Sequence, residues 1–270
     1  MKLFKPDKSN FTILDAQRYL NNFLIELQEI PFTPEERKLL LQVIFGKLVD
    51  ERTRPFFLYH FRPLLKKAVD IFFCEEQRPL IVDLGCGSGS ASILFGLLGA
   101  RVIGIDIEPI LISACRERQA FYEAEFGPLD IRFYVADAFK FDYDQIAPID
   151  GIYSLFAFNI MQPSRELLAR VTPALKPKGK IVISDGNIYS PYNRLFRPRP
   201  ILTPGEMKSI LSATHCEVIS LEFHCTIPPV LARIRTVFDL GVKLERIFGR
   251  LGLKRWLSVS YTIVAERQGV

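Results

Sequence analysis

The residues whose spacing suggests chemistry lie in the segment IVDLGCGSG, residues 81–89. An apolar run leads into Asp83, and glycines then occupy positions 85, 87 and 89. Glycine has no Cβ, so such a turn can adopt positive φ and let a ligand lie against the backbone. In parallel α/β sheets, the loop between the first strand and the next helix usually contacts the ligand. The segment therefore predicts a binding loop at the end of a first strand.

A second carboxylate indicates which ligand this loop binds. Asp106 ends the next apolar run and lies close to the ~20-residue spacing typical of an acid that binds ribose hydroxyls. Asp83 lies beside the loop, where its charge would repel a pyrophosphate but attract an ammonium or sulfonium group. The G-x-G-x-G spacing also differs from the G-x-G-x-x-G of dinucleotide-binding loops. We therefore expect a ligand with a ribose and a positively charged end.

The elements that must position these residues fall into two parts. Residues 1–78 are predicted to form an N-terminal helical cap, in which one helix opens with Thr33 as N-cap and Pro34 as its first residue. Residues 79–270 alternate short apolar runs with helical segments, which is typical of crossover connections. The sequence predicts an α/β fold with a doubly wound, mainly parallel seven-stranded sheet, N-terminal helices and a helical insertion near the C-terminus.

The last third of the chain changes in character. Residues 188–201, IYSPYNRLFRPRPI, are rich in proline and arginine and are predicted to be a loop. A short helix should follow, and then two strands, CEVISLEFHC and WLSVSYTIVAER. We expect these two strands to form an antiparallel pair at the edge of the sheet, with residues 228–256 inserted between them.

Positive charge is concentrated in this insertion. Residues 228–256 contain seven Lys or Arg against two acidic residues, which equals the +5 excess of the whole chain. A helix here would carry its charged and apolar residues on opposite faces: Arg235, Asp239, Lys243, Arg246 and Arg250 against Leu231, Ile234, Phe238 and Phe248. Two interpretations remain open. The helix covers an acceptor pocket with its charges in water, or it makes peripheral contact with an anionic membrane.

Composition limits the remaining classes. With 49% apolar residues the chain can bury a substantial core. The first residues lack the apolar region of a secretory signal, and no stretch is long enough to span a membrane. The five cysteines are scattered without a C-x-x-C pair, which favours reduced thiols. We therefore expect a cytoplasmic protein.

Two His-Cys pairs, at residues 215–216 and 224–225, raise the question of a metal site. On one extended strand the two pairs would lie about 30 Å apart, which is too far for a shared coordination sphere. The sequence therefore predicts no metal.

Five motifs in order resemble the class I S-adenosylmethionine (SAM)-dependent methyltransferases: VDLGCGSG, VIGIDIEP, VADAF, DGIYSLFAFN and LKPKGKIVISDG. The resemblance covers roughly residues 56–267. It implies a Rossmann-like methyltransferase fold and SAM as cofactor.

The resemblance also implies which residues bind the cofactor. They come from the glycine turn and the ends of the next three strands: Asp83, Gly85, Cys86, Gly87, Gly89, Asp106, Ile107, Asp137, Ala138 and Ser154. Asp83 would hold the methionine amine and Asp106 the ribose hydroxyls. Ile107 would pack on the adenine, and Asp137 would accept a hydrogen bond from its amino group.

Catalytic candidates follow from the chemistry. Methyl transfer needs an aligned acceptor shielded from water, and it needs a base only if the acceptor must lose a proton early. Many small-molecule relatives carry His where this chain has Asn159, which could position an acceptor or be a structural amide. Tyr59 and His60, in the segment before the first strand, are further candidates. Asp185 could bind substrate or cap the following turn.

The acceptor class is narrowed by an absent motif. No (Asn/Asp)-Pro-Pro-(aromatic) segment follows the predicted fourth strand, which disfavours methylation of a nucleobase amine, and we expect no nucleic-acid partner. We expect a small-molecule acceptor, with lipophilic and natural-product-like compounds among the candidates and the acceptor atom left open among O, N and C. The alternatives are a catalytically silent SAM-binding module or, with less support, a nucleic-acid or protein methyltransferase. An NAD-dependent oxidoreductase is opposed by the glycine spacing and Asp83.

Overall fold

A computed structural model describes residues 2–75, 78–196 and 202–269, with residues 44 and 45 described by their backbone only. Its centre is a seven-stranded sheet in the order β3-β2-β1-β4-β5-β7-β6. The strands are β1 Leu80–Leu84, β2 Arg101–Asp106, β3 Ile131–Val135, β4 Ile149–Leu155, β5 Leu175–Gly186, β6 Cys216–His224 and β7 Ser260–Arg267. β1 to β5 pair in parallel, whereas β7 is antiparallel to both β5 and β6. The predicted sheet and its antiparallel edge pair are confirmed.

Helices cover both faces of this sheet. The N-terminal helices are α1 Ile13–Glu29, α2 Pro34–Leu40, α3 Gly46–Val49 and α4 Arg54–Phe72, with a π-helical turn at Leu41–Phe45. The later helices are α5 Ser90–Leu97, α6 Pro109–Phe126, α7 Ser164–Val171, α8 Pro191–Phe196, α9 Pro204–Ala213, α10 Arg235–Arg250 and α11 Lys254–Leu257. Among the described helices, none is both long and apolar enough to cross a bilayer.

Both faces of the central strands are buried, because neighbouring strand residues point in opposite directions. Ile81 packs with α1, α4, α5 and α6, whereas Val82 packs with α7 and α9. The N-terminal helices therefore share one core with the sheet. Phe72 of α4 shows how close this contact is, since a Cβ built on Gly151 of β4 would lie 2.4 Å from its ring.

Local sequence explains where the N-terminal helices begin. α1 opens with a capping box between Thr12 and Asp15, and α2 with one between Thr33 and Glu36, followed by Pro34 as its first residue. In each box the side chains satisfy backbone N–H groups that a helix start leaves unpaired. The predicted start of α2 is therefore confirmed.

Two expectations about the late segments need correction. Residues 188–201 were expected to be a loop, but α8 occupies Pro191–Phe196, and residues 197–201 lie outside the described residues. Proline is well tolerated at the first position of a helix, and this start signal was overlooked. In the insertion, Leu231 and Ile234 precede α10 and are exposed, although they were placed on its apolar face with Phe238.

A buried ion pair joins the N-terminal helices to the turn after β1. The guanidinium of Arg118, on α6, donates to the Glu26 carboxylate on α1, with Nε–Oε2 at 2.5 Å and Nη2–Oε1 at 3.2 Å. Tyr122 adds a bond of 2.6 Å to Glu26 Oε1. Arg118 also donates to the carbonyl oxygen of Ser88 and to Ser90 Oγ, the latter at 3.1 Å. Both charged side chains are almost completely removed from solvent.

We predict that Arg118→Met lowers the free energy of unfolding by about 3–5 kcal/mol, because it leaves the Glu26 charge buried without its partner. The double variant Glu26→Leu/Arg118→Met should recover much of this loss, since no unpaired charge remains. Urea denaturation followed by circular dichroism measures both. A double variant no more stable than Arg118→Met would contradict the assignment.

Candidate active site

A cavity of about 370 Å³ opens where the glycine turn after β1 meets α4 and the turn after β4. Its wall combines backbone-rich and aromatic parts from distant segments of the chain: Val43, Lys47, Phe56, His60, Phe61, Asp83, Gly85, Cys86, Gly87, Ser88, Ser90, Ala91, Asp106, Leu111, Leu155, Phe156, Ala157, Ile160, Tyr192, Asn193, Pro229 and Val259. The location matches the rule that parallel sheets bind ligands beyond the carboxyl ends of their strands.

The glycines of the turn have separate physical roles, although φ is positive at all three. A Cβ on Gly85 would lie 2.4 Å from Cβ of Ala157, so glycine is needed for the close approach of the turn after β4. A Cβ on Gly87 would meet no heavy atom within 4 Å, and Gly87 borders the cavity. Gly89 lies outside the cavity wall, where a Cβ would crowd Cys115 Sγ at 2.8 Å. Gly87 is thus the glycine whose missing side chain leaves open space beside the cavity.

Asp106 ends β2, borders the cavity and braces the turn. Its Oδ2 accepts from the Gly87 backbone N–H at 2.8 Å, and its Oδ1 accepts from Glu108 N–H at 3.0 Å. Each carboxylate oxygen has a second lone pair, so Asp106 can also accept bonds from ribose hydroxyls. Cys86 borders the cavity as well, and its N–H donates to the carbonyl oxygen of Ile105 at 3.0 Å. Both residues therefore hold the turn against β2.

Asp83 is a buried carboxyl group at the cavity wall. Its Oδ2 accepts from Ser92 Oγ at 2.6 Å. Burial raises the pKa of Asp83 to about 7, with Asp106 acting in the same direction and the Ser92 hydroxyl opposing it. A buried acid that titrates near neutrality has a strong energetic preference for a cationic ligand group beside it.

The remaining predicted cofactor residues lie outside the cavity wall. Ile107 is 72% exposed, immediately after β2. Asp137 lies just beyond the neighbouring β3 and accepts from Phe139 N–H at 2.9 Å. The buried Ala138 accepts at its carbonyl from Tyr143 Oη at 2.8 Å. Ile107 and Asp137 thus follow the adjacent strands β2 and β3, and Asp106 ends the first of these.

Ser154 was expected beside the cofactor, but it does not border the cavity. Its side chain is fully buried, and its Oγ donates to the carbonyl oxygen of Leu84 at 2.9 Å. The next residues of the chain, Leu155, Phe156 and Ala157, border the cavity instead. Side chains alternate along a strand, so Ser154 serves to hold β4 beside β1.

Of the catalytic candidates, His60 is the one that borders this cavity. The buried imidazole lies on α4, with Nε2 2.7 Å from Ser260 Oγ. Three aromatic rings surround it, with centroids 5.6 Å away for Phe56, 5.3 Å for Phe61 and 5.6 Å for Phe156. The ring position is therefore determined by packing and by a hydrogen bond from β7.

Tyr59, its neighbour on α4, lies outside the cavity wall. Its Oη donates to Glu245 Oε2 on α10 at 2.9 Å. Burial raises the pKa of Tyr59, and the Glu245 carboxylate adds to this effect. Neighbouring helical residues point about 100° apart, and here His60 borders this cavity whereas Tyr59 does not. Tyr59 therefore helps to fasten α10 to α4.

Asn159 and Asp185 form a structural pair away from the cavity wall. Asp185 Oδ2 accepts from Asn159 N–H at 2.8 Å, and its Oδ1 accepts from Gly186 N–H at 2.7 Å. Asn159 Oδ1 accepts from Leu202 N–H at 3.1 Å. These bonds support the turn after β4. The sequence left open a structural role for Asn159 and for Asp185, and their contacts favour that role.

Sequence reasoning missed the aromatic part of the wall. Phe56 and Phe61 share α4 with His60, and the run FFLYHF contained a signal that we did not use. The sequence does not indicate that Phe156 borders the cavity. Its position depends on a φ of +56°, a conformation that is uncommon for a non-glycine residue and that the sequence pattern does not predict. Its N–H donates to the carbonyl oxygen of Ser184 at 2.8 Å. Such strained residues often lie at functional sites.

Among the described residues, no group of three or more His, Cys, Asp or Glu side chains could hold a metal ion. The two His-Cys pairs lie at opposite ends of β6.

Comparison with known proteins gives this site a chemical class. Residues 81–179 match a family model described as a methyltransferase domain. No curated protein sequence matches the chain. Among solved structures, the chain is similar to magnesium protoporphyrin IX methyltransferase (ChlM) from Synechocystis PCC 6803 with bound SAM, at 14% identity and a TM-score of 0.57, over 86% of this chain and 95% of that one.

Two further structures share the fold. A SAM-dependent methyltransferase from Aquifex aeolicus has 16% identity and a TM-score of 0.53, over 87% of this chain and 98% of that one. The 4+2 cyclase SpnF has 15% identity and a TM-score of 0.56, over 89% and 99% of the respective chains. At such low identity these likenesses establish the fold.

The methyltransferase-domain match over residues 81–179 includes the glycine turn, and the sheet order is that of solved SAM-dependent methyltransferases. The fold, enzyme class and cofactor implied by the resemblance are confirmed. The residues present fit the cofactor, because Gly87 leaves open space at the wall and the buried Asp83 carboxyl group favours a cation.

We predict that SAM affinity falls as the pH drops below 7, by up to about tenfold per pH unit, because the cofactor amine requires the Asp83 carboxylate. Calorimetry in two buffers at pH 6 should show proton release on binding. Asp83→Asn should abolish both effects, whereas the exposed Asp142→Asn should retain them. An unchanged pH slope in Asp83→Asn would exclude Asp83 as the titrating group.

The ligand-free protein should show the opposite trend. Folding favours the protonated form of Asp83, because its pKa is raised from 3.8 to about 7. This contribution to stability is complete below pH 3.8 and is lost as the pH rises through about 7.

Proposed function

We propose that the protein transfers the methyl group of SAM to a small, largely apolar acceptor that binds against α4. The observation that carries this proposal is the division of one cavity wall into two parts. The glycine turn, Asp83 and Asp106 form one part, and an aromatic group from α4 and the β4 turn forms the other.

The two parts of the wall are in direct contact through the turn after β4. Ala157 packs against Gly85, and Phe156, the preceding residue, lies beside His60 and Phe61 with ring centroids 5.6 and 5.4 Å away. An acceptor placed on these rings would therefore lie next to the turn that holds the methionine end of the cofactor. Such proximity is what an in-line displacement requires.

The aromatic lining supports an apolar acceptor. Phe56, Phe61, Leu155 and Phe156 would replace water around the acceptor, which also protects the sulfonium from hydrolysis. A macromolecular substrate would instead need an extended surface at the cavity mouth.

His60 is the proposed general base. SAM, when bound, supplies an electrophilic methyl group with a neutral leaving group. An acceptor hydroxyl or amine must then lose a proton, and an imidazole nitrogen can accept it. The Ser260 bond and the three neighbouring rings hold the imidazole in one orientation, so that little rotamer entropy is lost on binding.

We predict that His60→Gln lowers kcat by about 10²- to 10⁴-fold while the Kd of SAM changes little, because only proton transfer is lost. Tyr59→Phe is the matched control on the same helix, and it should retain turnover because Tyr59 lies outside the cavity wall. Full activity of His60→Gln would show that the acceptor needs no base from this chain.

The competing hypothesis is a SAM-binding module without methyl transfer. SpnF shows that a chain with this fold can be a cyclase, so cofactor binding alone does not establish the reaction. We therefore expect S-adenosylhomocysteine to form when the purified protein and SAM are given a panel of apolar phenols, amines and quinols. Mass spectrometry measures the product in each case.

A matched panel of charged, water-soluble acceptors and short oligonucleotides should give no product above background. Tight SAM binding with no turnover on either panel would favour the silent module. Turnover confined to oligonucleotides would overturn the apolar-acceptor proposal.

A further inference from the structure

Helix α10 exposes a continuous row of apolar side chains, here called the apolar stripe: Leu240, Leu244, Ile247 and Leu251, the last just beyond the helix end. Their spacing of four, three and four residues places them on one face of the helix. Leu240, Ile247 and Leu251 are 56%, 48% and 64% exposed, and Leu244 is half-buried. Adjacent exposed apolar residues of this kind mark interaction sites.

The stripe is distinct from the face that α10 uses to pack on the protein. That inner face contributes Phe238 and Val242 to a core cluster, and Phe238 meets the Tyr59 ring edge-on with centroids 5.7 Å apart. Glu245, also on this face, accepts from Tyr59, and a Cβ on Gly241 would lie 2.8 Å from Ile227. The packing of α10 on the enzyme therefore does not account for the stripe.

A basic flank runs beside the stripe. Lys243, Arg246 and Arg250 are exposed, and no carboxylate of the described residues lies within ion-pair distance of them. Arg235, at the start of the helix, pairs with Asp239 at 3.0 Å. An apolar stripe flanked by Lys and Arg is the pattern of a helix that lies in a membrane interface.

A groove between α10 and α4, with three cations on its wall, continues the basic flank through Lys243. The depression, of about 660 Å³, is lined by Arg54, Arg62 and Lys243, by Phe238 and Val242 among its apolar residues, and by one carboxylate, Asp239, which pairs with Arg235. Arg54 donates to the Leu48 carbonyl oxygen and Arg62 to Gln17 Oε1, so two of the three cations are held in place. Three fixed or nearby cations around an open groove favour an anionic headgroup.

We propose that α10 docks on the surface of an anionic phospholipid bilayer. The apolar stripe enters the boundary between headgroups and acyl chains, and the basic flank and groove contact lipid phosphates. A second copy of the chain is disfavoured as the partner, because a symmetric contact through the stripe would bring two basic flanks together. A nucleic acid would leave the apolar stripe without a partner.

The docking surface adjoins the cavity. Pro229 borders the cavity, and the chain then passes through the exposed Val230 and Leu231 before α10 begins. If the acceptor is apolar, this short segment places the cavity near the bilayer that would supply it. This last step rests on the proposed function, whereas the docking itself does not.

Vesicle co-sedimentation of the ligand-free protein tests the docking. The protein should bind vesicles of phosphatidylcholine with 30% phosphatidylglycerol, and binding should weaken as salt rises. It should not bind pure phosphatidylcholine. Each surface cation contributes about fivefold, so Lys243→Glu/Arg246→Glu/Arg250→Glu should reduce the partition coefficient by at least about 100-fold.

Two further variants separate the contribution of the apolar stripe from that of the charge on α10. Leu240→Gln/Ile247→Gln/Leu251→Gln should lose binding while keeping its net charge. Arg165→Glu/Arg170→Glu/Lys208→Glu makes the same charge change on exposed residues of α7 and α9 and should retain most of the binding. Unaltered circular dichroism and melting temperature would confirm that all variants are folded.

Three results would overturn the proposal. They are no binding to anionic vesicles at low salt, equal losses in the α10 and α7–α9 charge variants, or a solution dimer that the glutamine variant converts to a monomer. Because no cofactor or acceptor is present, failure here leaves the proposed methyl transfer untouched.

Discussion

The buried ion pair between Arg118 and Glu26 is the interaction on which the geometry of the site depends most. One guanidinium joins α1, α6 and the turn after β1, and it does so almost out of contact with water. A charge in such a place is tolerated only when its hydrogen bonds are satisfied, so each partner constrains the others. The N-terminal helices and the glycine turn are thereby held as one body.

Hydrogen bonds also fasten the glycine turn to β2. Asp106 and Ile105 of β2 accept backbone N–H groups from Gly87, Gly85 and Cys86, so the turn is fastened to the neighbouring strand. The bare backbone at Gly85 lets Ala157 approach closely, and this approach brings Phe156 towards α4. The glycine turn and the aromatic part of the cavity wall are thus positioned by the same few contacts.

Helix α10 contacts residues that border the cavity and also forms part of the protein surface. Its inner face shares a small core with Phe56 and Val259, two residues that also border the cavity. Its outer face exposes leucine and isoleucine beside cations. One insertion between β6 and β7 therefore contributes to the enclosure of the site and also presents a surface suited to an anionic interface.

The sequence alone determined the fold class, the enzyme class and the cofactor, because these depend on short motifs, each built from residues that are neighbours in the chain. It could not choose between Tyr59 and His60, nor place Ser154, because both outcomes depend on which face an element turns to the cavity. That orientation is set by contacts between distant residues. The hydrogen bond from His60 to Ser260 spans 200 positions, and no local pattern encodes it, so only tertiary packing decided which side chains reach the site.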